Sequence, residues 1–313
     1  MTSPIPESSR EACREALPGL LRAHAFDPDT PVVEDRDGWV NPCYFVGDDV
    51  VVRFNSRDPG VPKFRREFLA FELCRDAGLP VPEVIAYDIS LRYAPFEALL
   101  VQRLPGRSIE SSWPGLSERS RDALARAAGE LMAAVHDLEP PRWGDLGADE
   151  DSPSWPAFVE SEFDRVASAA LLDGCLVRDD IELVRGLLTE RLPAVARVGT
   201  PSLVHRDLHL GNLLHVGDRI TGLLDFEWSL SGDPEWDVLI GETTAEVCAG
   251  SWPPRLAAYR AQRPAEDDAQ ARREAYALVH NVEFCTLTKL HFPSEHEQTV
   301  AATRAYARRL ATD

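Results

Sequence analysis

The sequence predicts an α+β fold of two lobes, and three observations support this prediction. The chain has 313 residues, which exceeds the length that a single hydrophobic core usually supports. Short apolar runs separated by turn residues dominate its first third, which is typical of strands. Apolar residues three and four apart dominate the remainder, which is typical of helices. We therefore expect an N-terminal lobe over residues 1–104 and a C-terminal lobe over residues 105–313.

The N-terminal lobe is predicted to hold a five-stranded antiparallel sheet and one main helix. The strands are expected at residues 31–34, 41–46, 50–54, 83–88 and 97–103. Turn residues such as Gly47 separate the first three, as in a meander of hairpins. Residues 61–77 predict a helix that begins with Pro62 and ends before Gly78.

The C-terminal lobe is predicted to be mainly helical. Helical spacing is found at residues 116–138, 155–172, 179–196, 235–248, 252–261, 267–290 and 295–311. Residues 202–226 interrupt this pattern with two apolar runs, NLLHV and ITGLLDF, joined by a Gly217-Asp218 turn, which predicts a hairpin. A polar loop that carries His205, Arg206, Asp207 and Asn212 precedes the hairpin. Chemistry is often placed on such loops beside rigid strands.

Composition narrows the classes of partner. The chain has 33 Lys and Arg against 52 Asp and Glu, a net charge of -19. Such a surface repels nucleic acids and anionic lipids and attracts cations, although solubility alone would also explain it. The six scattered cysteines, the start without a signal-peptide pattern and the lack of a long apolar run predict a cytoplasmic protein without nucleic-acid or membrane partners.

Three polar residues around the hairpin have the chemistry that phosphoryl transfer needs. Asp207 and Asn212 lie on the loop, and Asp225 ends the following apolar run. A carboxylate can orient an attacking hydroxyl, and hard oxygen ligands can hold Mg²⁺ on phosphates. Single Asp and Asn residues more often make turns and caps, but the ordered set favours catalysis. The segment therefore predicts Mg²⁺-dependent phosphoryl transfer to a hydroxyl group.

The same segment resembles a known family. HRDLHLGN at 205–212 resembles the H-x-D-x-x-x-x-N catalytic loop of the protein-kinase-like superfamily. LVHRDLHLGNLL, ITGLLDFEWS and SGDPEWDVL are similar, in order and spacing, to the motifs of aminoglycoside phosphotransferase-like small-molecule kinases. The resemblance implies a bilobal protein-kinase-like fold, with Asp207 as catalytic base and Asn212 and Asp225 as Mg²⁺ ligands. It also implies that Asp237 braces the catalytic loop, with support from His205.

In the N-terminal lobe, the resemblance implies a cation on the third strand that grips the nucleotide phosphates and is paired with a helix Glu. Arg53 and Glu67 stand at these positions, with Arg in place of the Lys of protein kinases. A solvated helix face is the alternative for Glu67. LLVQRLPG stands at the interlobe hinge, where the Gln102 carbonyl and the Leu104 amide would hold the base of ATP or GTP. Residues 36–41 are a weak candidate for a phosphate-covering turn.

The acceptor is expected to be a small molecule. D-F-E stands at 225–227 in place of D-F-G, no A-P-E follows, and Gly-Asp-Pro comes at 232–234. This spacing leaves no span for the activation loop of a protein kinase. A peptide acceptor is therefore disfavoured.

The acidic loop that contains Asp149, Glu150 and Asp151 suggests the chemistry of the acceptor. Acidic residues of this region bind ammonium groups in aminoglycoside kinases, although a solvated loop with Asp151 or Ser152 as helix cap is the alternative. With the net charge, the loop favours a cationic antibiotic, such as an aminoglycoside or a basic peptide, and hence a resistance role. A macrolide or a metabolite alcohol (choline, thiamine or a sugar) is the alternative acceptor. A catalytically silent nucleotide-binding protein, suggested by Arg53 and Glu227, is the alternative from another class.

Overall fold

The computed structural model has the predicted two-lobed α+β architecture. It describes residues 5–27, 29–35, 41–56, 60–61, 63–149 and 152–312. The predicted Pro62, most of the phosphate-covering turn at 36–41, and Glu150 and Asp151 lie outside the described residues. In the described part, no helix combines the length and apolar character needed to cross a lipid bilayer.

The N-terminal lobe contains the predicted five-stranded antiparallel sheet. Its strands are β1 (Val32–Asp35), β2 (Cys43–Val46), β3 (Val50–Phe54), β4 (Val84–Asp88) and β5 (Ala98–Gln102). Their spatial order is β1-β2-β3-β5-β4, and each neighbouring pair is antiparallel. Successive side chains of a strand point to opposite faces. Val50, Val52 and Phe54 of β3 are therefore buried on one face, which leaves Arg53 on the other.

Two helices cover the two faces of this sheet. The predicted helix is α2 (Lys63–Asp76), but α1 (Glu7–Ala23) was not predicted, and the expectation of one main helix was incomplete. The inward residues of α1 include Cys13, Leu17 and Leu20, whose spacing was available as a helical signal. Pro18 interrupts that pattern inside the helix and disfavours a helical interpretation.

The C-terminal lobe contains all the predicted helices and one short helix that was not predicted. They are α3 (Ile109–Ser112), α4 (Glu118–His136), α5 (Trp155–Leu172), α6 (Arg178–Val195), α7 (Glu235–Thr243), α8 (Trp252–Gln262), α9 (Ala269–His291) and α10 (His296–Leu310). The short one is α3, and α7 ends at Thr243 rather than at residue 248. The lobe boundary predicted at residue 104 falls in the connection that follows β5.

Six short strands accompany these helices. They are β6 (Arg107–Ser108), β7 (Gly144–Asp145), β8 (Ser202–Val204), β9 (Leu213–Val216), β10 (Arg219–Leu223) and β11 (Leu230–Gly232). The predicted hairpin is β9 and β10, which forms a sheet of order β10-β9-β6. The strands β7, β11 and β8 form a second small sheet.

The hairpin of β9 and β10 packs against the N-terminal lobe through a shared hydrophobic cluster. The cluster includes Phe71 of α2, Leu99 of β5 and Phe226, which follows β10. The rings of Phe71 and Phe226 meet edge to face, with centroids 5.7 Å apart. Burial of aromatic side chains makes a large contribution to packing stability. This core fixes the segment after Phe226 close to α2 and β3.

Candidate active site

The loop between β8 and β9 brings Asp207 and Asn212 into direct contact. The Asn212 Nδ2 atom donates hydrogen bonds to the Asp207 carbonyl oxygen at 2.9 Å and to Asp207 Oδ2 at 3.2 Å. A one-turn helix at Leu210–Asn212 produces this return of the chain. The Asp207 side chain keeps 38% of its surface exposed, so it stays accessible at the end of the loop.

Asp237 of α7 accepts two hydrogen bonds from the backbone of the loop that carries Asp207. Its Oδ2 accepts the His205 N–H at 2.8 Å, and its Oδ1 accepts the Arg206 N–H at 2.7 Å. Behind it, Asp237 Oδ2 lies 3.0 Å from His136 Nε2, and His136 Nδ1 lies 3.0 Å from the Tyr259 hydroxyl. Burial alone would raise the pKa of Asp237, but the hydrogen bonds with His136 and the loop lower it. The sequence did not indicate His136 and Tyr259, because they come from two distant helices.

His205 supports the loop as a neutral ring. Its Nε2 lies 2.9 Å from the Leu224 carbonyl, and its Nδ1 accepts the Asp207 N–H at 3.2 Å. These two contacts require the tautomer protonated at Nε2. Burial lowers the pKa of His205, and its ring packs 4.3 Å from that of Phe226. His205 therefore ties the loop to the end of the catalytic hairpin.

The pKa of the Asp207 carboxyl is raised well above its ordinary value. Partial withdrawal of this half-buried group from solvent is the main cause, and the negative charge of Asp225 is the next, while the hydrogen bond from Asn212 acts in the opposite direction. Desolvation and a like charge both disfavour an ionised carboxylate. A carboxyl with a raised pKa accepts a proton more readily, which suits a general base.

Arg53 joins the N-terminal lobe to the end of the catalytic hairpin. Its Nη1 lies 2.5 Å from Glu67 Oε1, and its Nη2 lies 3.1 Å from Asp225 Oδ1. Nη2 also lies 3.9 Å from Glu227 Oε2. Burial alone would lower the pKa of Arg53, but the three carboxylates together raise it. The structure therefore brings together Arg53 and Glu67, which the sequence offered as a pair, and adds a contact between Arg53 and Asp225.

Glu67 is the buried member of this ion pair. Its side chain is 1% exposed, so the solvated-face alternative does not describe it. Burial acts to raise the pKa of Glu67, and the pairing with Arg53 acts in the opposite direction. Within the described residues, Glu67 Oε2 makes no hydrogen bond, so Arg53 is the main compensation for this carboxylate.

Glu227 is a residue of the site to which the sequence analysis assigned no role. It is 4% exposed, and its Oε2 accepts a hydrogen bond from Asn41 Nδ2 at 3.2 Å. Its Oε1 lies 4.0 Å from Lys63 Nζ, and that ammonium group lies 4.5 Å from the centre of the Trp228 ring. A signal was present, because a glutamate at the third position of D-F-G is a departure from the protein-kinase pattern. Glu227 joins the hairpin to the N-terminal lobe.

The predicted hinge residues lie at the end of β5. Backbone bonds join Gln102 to the Glu83 carbonyl at 2.8 Å and Arg103 to the Asp49 carbonyl at 2.7 Å. No backbone carbonyl of the described residues accepts a hydrogen bond from the Leu104 N–H. That N–H and the Gln102 carbonyl remain the predicted contacts of the nucleobase.

The acidic loop of the C-terminal lobe contacts arginines of α2. Asp149 Oδ1 lies 2.6 Å from Arg65 Nη1, and Asp145 Oδ1 accepts a hydrogen bond from Arg66 Nε at 2.6 Å. The Asp149 side chain is 86% exposed. In the structure Asp149 therefore lies in an exposed contact between the lobes, which is closer to the solvated-loop alternative than to a buried acceptor site.

The donor atoms at the site fit a Mg²⁺ ion. The Nδ2 group of Asn212 is engaged by Asp207, which leaves the carbonyl oxygen Oδ1 to face a cation. Arg53 contacts Oδ1 of Asp225, and Oδ2 is the second carboxylate oxygen. Mg²⁺ prefers hard oxygen ligands and is often held by one or two carboxylates together with substrate phosphates. The amide and carboxylate oxygens therefore suit the predicted metal.

The amino-acid sequence is similar to those of two homoserine kinases. The homoserine kinase of Methylobacillus glycogenes is 26% identical over 226 residues, which cover 68% of this chain and 64% of that enzyme. That match thus spans less than two thirds of the enzyme. The homoserine kinase of Methylobacillus flagellatus is 26% identical over 249 residues, which cover 75% of this chain and 72% of the enzyme.

The fold is also similar to solved structures. One is aminoglycoside phosphotransferase APH(4)-Ia, a thermostable mutant in ternary complex with ADP and hygromycin B, with a TM-score of 0.67 and 16% identity. The alignment covers 95% of this chain and 97% of that one. Another is ADP-bound aminoglycoside phosphotransferase APH(2'')-Ib, with a TM-score of 0.61 and 16% identity over 95% of this chain and 98% of that one. Residues 31–280 match the sequence profile of the phosphotransferase enzyme family. The chain therefore belongs to the phosphotransferase enzyme family and has its protein-kinase-like fold.

Proposed function

We propose that the protein is a small-molecule kinase, which transfers the γ-phosphoryl group of ATP or GTP to a hydroxyl group of its acceptor. The observation that carries the proposal is two polar contacts, one in the loop after β8 and one at the end of the hairpin, with the charge of Asp225 acting on the Asp207 carboxyl. Asn212 lies 3.2 Å from the Asp207 carboxylate, and Arg53 lies 3.1 Å from Asp225. Family membership supports the same reaction.

Asp207 acts as the base in this proposal. Its exposed carboxylate orients the attacking hydroxyl and accepts its proton as the oxygen bonds to phosphorus. The raised pKa of Asp207 favours that acceptance. Asp237 and His205 keep the loop backbone fixed, so the carboxylate needs little rearrangement during the reaction.

The nucleotide phosphates are held from both lobes. Arg53 binds the α and β phosphates with a planar guanidinium group that Glu67 orients. Mg²⁺, held by Asn212 and Asp225, supplies charge neutralisation on the phosphates when it is bound. Gln102 and Leu104 bind the edge of the base through backbone groups.

Two classes of acceptor compete within this proposal. The net charge of -19 favours a cationic antibiotic such as an aminoglycoside, and hence a role in resistance. The acidic residue Asp149 adds little to that case, because Arg65 already neutralises it. The similarity to two homoserine kinases favours the second class, which is a metabolite alcohol. A macrolide remains a further alternative acceptor.

A catalytically silent protein is the competing function from another class. Arg53 and Glu227 are the departures that suggest it. Asp207, Asn212 and Asp225 retain the chemical groups of an active enzyme, which favours turnover. We also infer a cytoplasmic location, because all six cysteines are free thiols, as expected in a reducing compartment.

The test is release of nucleoside diphosphate from ATP or GTP with Mg²⁺. The acceptor panel contains aminoglycosides, basic peptide antibiotics, macrolides, choline, thiamine, sugars and homoserine. Acceptor-dependent release in wild type, and its loss by a factor of about 10² to 10⁴ in Asp207→Asn, would support the kinase and define its acceptor class. Mass spectrometry of the product identifies the modified hydroxyl. Binding of nucleotide without release for any acceptor would favour the silent protein.

A further inference from the structure

Arg206, which precedes Asp207, has an unusual backbone conformation. Its φ is 64°, in the left-handed region that glycine adopts most readily. The Arg206 N–H donates to Asp237 Oδ1 at 2.7 Å, which fixes this conformation from the backbone side. A glycine would satisfy the same backbone requirement with less strain, so the arginine side chain needs a separate explanation.

The Arg206 side chain contacts three helices, two of them through ion pairs and one through an aromatic ring. Its Nη1 lies 3.1 Å from Glu162 Oε1 of α5, and its Nη2 lies 2.8 Å from Glu283 Oε2 of α9. The guanidinium carbon lies 4.6 Å from the centre of the Trp236 ring of α7. The side chain is 9% exposed, so solvent screens these charges weakly. Three helices therefore hold the side chain next to the catalytic residue.

Arg165 contacts both carboxylates of this arrangement. Its Nη2 lies 2.8 Å from Glu162 Oε1 and 2.7 Å from Glu283 Oε1. Burial alone would raise the pKa of Glu162, but Arg165 and Arg206 lower it to about 2. The formal charges of the two arginines and two glutamates therefore balance, which reduces the cost of burying Arg206 and the two glutamates.

We propose that Arg206, Glu162 and Glu283 form a clamp, and that Arg206 is a positioning residue for the Asp207 carboxylate. The clamp fixes the residue immediately before Asp207 in one backbone conformation. Rotation at this position would move the carboxylate away from the attacking hydroxyl, and a small misplacement of a reacting group has a large effect on rate. Arg206 acts through the backbone of Asp207 and does not touch the substrate. This inference rests on the proposed kinase function.

Four variants distinguish a positioning role of the Arg206 side chain from the effect of backbone strain at this residue. Arg206→Gly removes the clamp and allows the left-handed backbone, whereas Arg206→Ala removes the clamp and keeps the strain. Arg206→Lys keeps one positive charge. The double variant Glu162→Gln/Glu283→Gln keeps Arg206 and removes its anionic partners. The matched control is Arg304→Ala, which removes another interhelical pair, Arg304 with Asp180 at 2.8 Å, away from the catalytic loop.

The readouts are kcat and KM for ATP with Mg²⁺, together with the midpoint of thermal unfolding. Release of ADP is measured with the best acceptor of the panel and with water as the acceptor. We expect Arg206→Gly to lower kcat by about 10²-fold while KM for ATP changes by less than about twofold. Arg206→Lys should recover part of the lost kcat. The double glutamine variant should resemble Arg206→Gly, and Arg304→Ala should keep both constants.

A wild-type kcat in Arg206→Gly would overturn the clamp, because backbone freedom alone would then be sufficient. The clamp would also be overturned if both Arg206→Gly and Arg206→Lys raised KM for ATP, lowered kcat and lowered the midpoint of thermal unfolding. Such a result would indicate a general structural role for Arg206. Absence of ADP release from the wild-type protein under all conditions would instead overturn the proposed function, and the clamp with it. If the wild-type enzyme is active, a negative result with the variants therefore contradicts the clamp and not the proposed function.

Discussion

The side-chain amide of Asn212 donates a hydrogen bond to the carboxylate of Asp207 across 3.2 Å. This contact joins the proposed metal ligand to the proposed base within one loop. It also determines the orientation of the Asn212 amide, because the nitrogen faces Asp207 and the oxygen is turned away. In the proposed mechanism, the Asn212 side chain would therefore contact both the base and the metal, and its substitution should affect both functions.

The first prediction concerns dependence on Mg²⁺. Asp225→Asn removes the only carboxylate of the proposed metal pair, so the Mg²⁺ concentration for half-maximal activity should rise about tenfold or more. Asn212→Ala should raise that concentration and also lower kcat at saturating Mg²⁺, because Asp207 loses its partner. Activity is measured as ADP release over a Mg²⁺ titration, and chelation of the metal should abolish it.

The matched control for the metal prediction is Asp218→Asn. Asp218 lies in the exposed turn of the same hairpin, and its substitution makes the same change of charge. Its Mg²⁺ titration should overlay that of wild type. An Asp225→Asn enzyme with the wild-type Mg²⁺ curve would contradict the assignment of Asp225 as a ligand.

The second prediction concerns the buried pair of Arg53 and Glu67. Arg53→Met leaves the Glu67 carboxylate buried without its cation, and this should lower the free energy of unfolding by about 3 to 5 kcal/mol. The double variant Arg53→Met/Glu67→Leu should recover part of that loss, since the most deeply buried carboxylate is removed together with its cation. Urea denaturation of wild type, both single variants and the double variant gives the coupling energy. Strictly additive effects would show that the two side chains stabilise the fold independently.

Nucleotide binding offers a second readout on the same variants. Both Arg53→Met and the double variant should lose affinity for ATP, because each lacks the cation for the phosphates. Recovery of stability without recovery of ATP affinity would separate the two roles of Arg53. Titration calorimetry with Mg²⁺ and ATP provides the measurement.

The third prediction concerns stability against pH. Burial lowers the pKa of His280 to about 4, with the positive charge of Arg206 acting in the same direction and Glu283 in the opposite one. The unfolded chain, with a His pKa of about 6.5, then binds more protons than the folded protein between these values. This contribution to stability is complete above about pH 6.5 and is lost as the pH falls toward 4.

The size of this effect follows from the two pKa values. His280 should reduce the free energy of unfolding by about 2 kcal/mol between pH 7 and pH 5. Urea denaturation at both pH values is the measurement, and His280→Gln should remove this part of the pH dependence. His24→Gln, in the other lobe, is the control for loss of a histidine. An equal pH dependence in wild type and His280→Gln would rule out this origin.

The fourth prediction concerns the acceptor and Asp149. Its side chain is 86% exposed and paired with Arg65, and exposed ion pairs contribute about 0 to 1 kcal/mol. We expect Asp149→Ala to change the free energy of unfolding by less than about 1 kcal/mol and to leave KM for the acceptor within about twofold. Steady-state kinetics with the acceptor from the panel tests this expectation. A rise in acceptor KM of tenfold or more, with KM for ATP unchanged, would instead indicate that Asp149 binds the acceptor.

The sequence predicted most of the main elements in their order, although not α1. Strands β2 and β3 alternate between more and less buried residues, and the long helices of the C-terminal lobe repeat apolar residues at helical spacing, so local patterns were sufficient there. It also identified the candidate residues for the chemistry. Asp207 and Asn212 lie on one short loop, and Asp225 ends the adjacent hairpin, so their proximity follows from local geometry.

Only the tertiary structure decided the contacts that join distant parts of the chain. The sequence offered Arg53 and Glu67 as a pair, but the contacts of Arg53 with Asp225 and Glu227 depend on the packing of one lobe against the other. The partners of Arg206 on α5 and α9 likewise come from helices far along the chain. Local periodicity carries no information on such pairs, because hydrophobic packing between elements sets their relative positions. The sequence alone thus indicated the reaction, whereas the fold decided what holds the reacting groups in place.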